Sequence, residues 1–223
     1  MNATIDTIVN TLNQQILSAK AEEAQTGAMS AFIHENMSNL HGSINISSQT
    51  PDAALMRFVE DYIESAPQHI QALHTLANEA GIGEYAQPFL NLSCTYFINP
   101  PDVLASLQGL HSFLCRAYLA HRLMEEVNDQ IMSLSGAALA PMDMSMANII
   151  THSLIGDDIA NALDHLVLLS IETEATDKNL FQKRSVRKFL EQRKLKDWEE
   201  VLKRWPCFTK DCAVDLQIGQ EPH

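Results

Sequence analysis

The chain has 223 residues, 46% of them hydrophobic, with 28 Asp and Glu against 15 Lys and Arg and a formal charge of -13. That is enough apolar material for one generous core, and no apolar run approaches the roughly 20 residues that span a bilayer, which excludes a transmembrane helix. The charge is divided: residues 1–177 hold 4 basic and 21 acidic side chains, residues 178–223 hold 11 and 7, and so acidic a body repels nucleic acid, so no specific nucleic-acid partner is expected.

Residues 1–20 lack a basic start followed by an apolar run and a small-residue cleavage site, so a cytoplasmic protein is expected. Ile5, Ile8, Val9, Leu12 and Ile16 recur at steps of three and four, predicting an amphipathic helix that continues past Gly27 through Phe32, Ile33 and Leu40. Residues 42–50 read as a loop. Thr50 and Pro51 then supply an N-cap and a first-turn proline for a helix carrying Leu55, Phe58, Val59, Tyr62 and Ile63. Pro67 is expected to kink or restart it. A segment with Ile70, Leu73 and Leu76 stops at Gly81, and a shorter one with Phe89, Leu92 and Phe97 stops at Pro100 and Pro101.

The longest periodic stretch runs from Asp102 to about Ser135, with Val103, Leu107, Leu110, Leu114, Ala117 and Met124 spaced as a bundle seam, and ends at Gly136. A second long helix is expected from about Ser145 to Ile171, with Ile149, Ile159, Leu163 and Val167 inward. From Lys178 the segments turn basic. The resulting expectation is an all-α, antiparallel helical bundle of about five to seven helices over residues 1–177, with a basic C-terminal helical appendage over 178–223 packed on the same domain.

Four cysteines, Cys94, Cys115, Cys207 and Cys212, show no Cys-x-x-Cys spacing and read as free thiols, the first two as small buried hydrophobes. No glycine-rich phosphate loop, nucleophile elbow or helix-turn-helix is present, so no nucleotide cofactor is expected. The informative residues are polar ones at core positions. His121 falls at the centre of the apolar stripe of its helix, with Glu125 and Asn128 near the same line; His152 lies on the line of Ile149 and Ile159, with Asn148 a turn earlier; His69 is on the inner face beside Leu73. Buried ionisable groups demand hydrogen bonds, counter-charges or a metal.

Imidazoles and a carboxylate on facing helices are how bundles build non-haem metal centres, so His121, Glu125 and His152 form a two-histidine, one-carboxylate candidate set, with His69 as a fourth ligand and Asn128 and Asn148 as orienting residues. The metal would be iron, manganese or zinc. The alternatives at the same residues are a structural polar network that fixes helix register and an organic ligand between the long helices, with His121 and His152 as polar anchors.

His121-x-x-x-Glu125 followed by His152-x-x-x-x-Asp157 resembles two iron-ligand fragments of the hemerythrin family, in that order. The resemblance implies a dinuclear non-haem iron site. The family's intervening His-x-x-x-His element is missing, and the two Glu-x-x-His motifs of ferritin-like di-iron proteins are absent, so the chain is assigned to neither family. Ideal helix geometry places Asp157 toward the polar face unless Gly156 loosens the turn.

Two functions follow as expectations: a helical-bundle metalloprotein, as oxidoreductase or sensor, and a non-enzymatic interaction or regulatory protein. The second would meet a protein partner through the acidic face or the basic C-terminal helix, where Trp198, Val201 and Trp205 share a side beside Arg193, Lys194, Lys196, Lys203 and Arg204.

Overall fold

The protein is described from a computed structural model covering residues 5–140, 144–173, 178–194 and 213–216. The all-α expectation holds: eight α-helices, three short 3-10 turns and one pair of three-residue strands are the regular elements of the described residues. The helices are α1 (Ile5–Thr26), α2 (Ala28–Asn36), α3 (Pro51–Ala80), α4 (Gly83–Ile98), α5 (Gly109–Ser135), α6 (Ser145–Ile155), α7 (Asp157–Thr173) and α8 (Arg184–Lys194). None is long and apolar enough to cross a membrane among the described residues. Tyr62, Tyr85, Tyr118, Phe58, Phe89 and Phe97 are fully buried and give the interior its bulk.

Seven of these helices fall within residues 1–177, inside the five to seven expected there, and α8 lies in the basic region; two glycines divide helices that periodicity alone reads as continuous. Gly27 takes a left-handed φ of 62° and ends α1. Glu23 then folds over the break, its carboxylate accepting the Met29 and Ser30 amides at 2.8 and 3.0 Å, so a nearly buried acid satisfies the start of α2 where a negative charge is favoured. Gly156, at φ 85° and ψ 151°, separates α6 from α7. Both torsions lie in territory that glycine enters cheaply.

Three further expectations are corrected. Asp102 does not open the long helix: after Pro101 the chain makes one 3-10 turn over Asp102–Leu104, and α5 starts only at Gly109, leaving Val103 exposed. Pro67 does not restart a helix, because α3 runs through it for 30 residues with the proline buried. The 42–50 segment is not all loop, because Ile44–Ile46 forms β1 and pairs antiparallel with β2 (Val214–Leu216), Ile46 facing a buried Val214.

The first part of the basic region packs on the bundle: Leu180, Phe181, Val186 and Leu190 are buried, and Phe181 meets Tyr85 edge to face at 5.0 Å. Trp198, Val201, Trp205, Lys196, Lys203 and Arg204 lie outside the described residues, as do Cys207 and Cys212. Cys94 and Cys115 are free and buried, as expected, and burial pushes their thiols up to about 11 and about 12.

Candidate functional site

Apart from Asn128, the polar residues singled out in the sequence fall into two groups along α5, one buried and one open to solvent. The first group is sealed in the core. His121 on α5 and His69 on α3 are buried, with their Nδ1 atoms 3.4 Å apart. Ser65 donates its hydroxyl proton to the Tyr62 carbonyl at 2.7 Å, so its oxygen is left to accept. The Nε2–H of His121 therefore donates to that oxygen and to the same carbonyl, both at 3.1 Å, which assigns His121 Nδ1 as the acceptor of a proton from His69. Both rings are neutral. Burial lowers the His121 pKa from 6.5 to about 4, partly opposed by the Tyr62 carbonyl, and burial together with the neighbouring imidazole holds His69 well below its ordinary value.

The second group lines a solvent-open cleft of about 1150 Å³ between α5, α6, α7 and the end of α2. Its floor is built by residues one turn apart on α5: Tyr118, Arg122, Glu125 and Asp129. Tyr118 donates its hydroxyl to Asp164 of α7, 3.1 and 3.2 Å from the two carboxylate oxygens. Arg122 Nε donates to Asp164 at 3.0 Å, and its Nη1 pairs with Glu125. Glu125 also accepts from the Asn148 amide at 2.9 Å and the Ser145 hydroxyl at 3.3 Å, and Asn148 in turn accepts the Tyr62 hydroxyl at 2.7 Å. His152 closes the other end, its Nδ1 at 3.2 Å from the Tyr118 oxygen and its Nε2 at 3.3 Å from Asp157.

Electrostatics fix this chain of contacts. Burial opposes the charge of Arg122, yet two carboxylates outweigh it and hold the guanidinium above its ordinary pKa. Burial, reinforced by Asp164, keeps Tyr118 protonated. The Gly156 break provides the remaining geometry, because it turns Asp157 back toward His152, where a continuous helix would aim it away. Ile149, read as a core residue, is 46% exposed on the cleft wall.

The six predicted site residues therefore do not converge. His69 pairs with His121; Glu125 and Asn148 join each other; His152 stands with Tyr118, Asp157 and Asp164 and is half-buried. Asn128 faces neither group: its side chain accepts the Leu139 and Ala140 amides at 3.0 Å and donates to the Ala140 carbonyl, tying down the connection after α5. Glu60 on α3 pairs with Lys20 of α1 at 2.9 Å. Among the described residues no group of three or more His, Cys, Asp or Glu is placed to hold a metal ion.

Tyr118, Arg122, Asp129 and Asp164 were not among the candidates. The signal for the first three was their spacing. At about 100° per residue, Glu125 lies about 40° from His121 but only about 20° from Tyr118, so it belongs to the polar stripe and not to the histidine's apolar one. No protein-family model, curated protein or solved structure matches the chain.

Proposed function

We propose that the protein binds a small organic molecule in the cleft between α5, α6 and α7, with Tyr118, Arg122, Glu125, Asn148, His152 and Asp164 as the polar floor. The observation that carries this reading is the combination of an open 1150 Å³ cleft with a floor whose side chains are already hydrogen-bonded to one another. Such a floor presents donors and acceptors in fixed positions, and the apolar wall of Phe32, Ile149 and Ile159 supplies contact area. The volume suits a drug-sized or metabolite-sized ligand.

Amide resonance mapping against a small-molecule library tests it. Hits are expected to perturb residues 118–129 and 145–164 and to be lost when Ile149→Trp fills the wall. Perturbations centred elsewhere would contradict the assignment.

A metal centre has one observation in its favour. Two imidazoles bound to one tetrahedral ion at about 2.0–2.1 Å lie roughly 3.3 Å apart, close to the separation of His69 and His121. That reading requires a further ligand beside the pair. Plasma mass spectrometry on untagged protein decides it: near-stoichiometric iron, manganese or zinc that disappears in His121→Ala would move the site from the cleft to the core.

A further inference from the structure

We infer that the ligand of this cleft is an amphipathic organic cation, an amine with an aryl or branched alkyl portion; the inference rests on the cleft being the binding site. Two features of the lining point the same way. The first is a charge surplus that local pairing does not remove. Arg122 is the one Lys or Arg lining the cleft among the described residues, and its Nε and Nη1 are committed to Asp164 and Glu125. One guanidinium between two carboxylates leaves that triad one negative charge in excess, and Asp129, Asp157 and Asp158 add three more. An anionic ligand would have to share Arg122 with two carboxylates and enter against the remainder, whereas a cation gains from each of them.

The second feature is the wall. Phe32 presents an aromatic face, and Ile149 and Ile159 offer aliphatic surface at the same opening. An ammonium group attached to an apolar body fits both halves: the charged end beside the Asp164 and Asp157 carboxylates near His152, the apolar end against the wall. The N-termini of α6 and α7, which open onto the same cleft at Ser145 and Asp157, would favour an anion. Both are already met by the chain's own carboxylates: Glu125 accepts from the Ser145 hydroxyl and the Asn148 side chain, and Asp157 and Asp158 are the first two residues of α7.

The test is calorimetric titration of the full chain with phenethylamine and with hydrocinnamate, two probes of similar size and opposite charge, with resonance mapping to locate each. The amine is expected to bind in the cleft at least about tenfold more tightly than the acid, to weaken as salt rises, and to weaken several-fold in the double variant Asp157→Asn, Asp158→Asn. Those two positions are exposed, so the variant is expected to fold, and Asp164→Asn provides a second reading of the same charge. Equal or tighter binding of hydrocinnamate, abolished by Ile149→Trp, would overturn the cationic assignment and leave the cleft standing. No binding of either probe would overturn both.

Discussion

Two histidines on neighbouring stretches of this chain, His121 and His152, look alike in the sequence and have opposite fates in the fold. His121 is fully buried and hydrogen-bonded to a backbone carbonyl, a serine and a second imidazole. His152 is half-buried at the edge of an open cleft between a phenol and two carboxylates. One belongs to the group that holds α3 and α5 together, and the other to the group that faces solvent and any ligand. Helix α5 carries both groups, with His121 on its buried face and the Tyr118, Arg122, Glu125 stripe along the edge that opens to the cleft, and Tyr62 touches each, His121 through its carbonyl and Asn148 through its hydroxyl. An inward polar residue therefore identifies a site only when the space beyond it is open.

Substitutions on the two sides of α5 probe that division most strongly at its buried end. His121→Ala removes a close-packed ring and leaves Ser65 and His69 without their partner, so it is expected to cost about 4 kcal/mol of stability in denaturant unfolding. A loss below about 1 kcal/mol would mean that the pair is not a structural element. Acid probes the same place next. His121 is held near 4 in the folded chain and returns to about 6.5 when unfolded, so the unfolded state takes up the proton first. Stability is then complete above pH 6.5 and falls as pH drops toward 4, by about 3 kcal/mol from this group alone. His121→Phe should flatten that slope.

On the cleft side the effects are smaller and fall on binding. Arg122→Gln leaves Glu125 and Asp164 facing each other without a cation; in this partly solvated setting about 2 kcal/mol is expected, read as a shift in denaturant midpoint. Tyr118→Phe removes the link between His152 and Asp164 and is expected to cost about 1 kcal/mol. Ile149→Ser, at an exposed position on the wall, should change stability by less than about 0.5 kcal/mol while weakening ligands in the same cleft. Stability losses at Tyr118 as large as those at His121 would erase the distinction between the two groups.

The helical architecture was legible because apolar residues recur at three and four over most of the chain, and because Gly81 and Gly136 end their helices with left-handed φ at the positions where periodicity stops. The breaks at Gly27 and Gly156 were not, since apolar periodicity continues through both; their signal is a local torsion that a hydrophobic pattern does not register. Pro67 lies inside α3 without ending it, although its ring removes one backbone amide from the helix. The β1 and β2 pair joins segments about 170 residues apart in sequence, and three-residue strands leave no period to read. For the site, Glu125 was found and assigned to the wrong face. A stripe model gives each residue one direction, and Glu125 lies near the boundary between the buried side of α5 and its open one. Asp164 could be connected to Tyr118 and Arg122 only through the packing of α7 on α5, which sequence spacing does not encode.

The division between the two sides of α5 is tested most directly by the imidazole resonances of labelled protein during titration with phenethylamine. His152 and His41, which line the cleft, are expected to shift as the amine binds, while His69 and His121 stay unmoved. Ligand-induced shifts at His69 and His121, with His152 silent, would place the ligand at the buried pair instead.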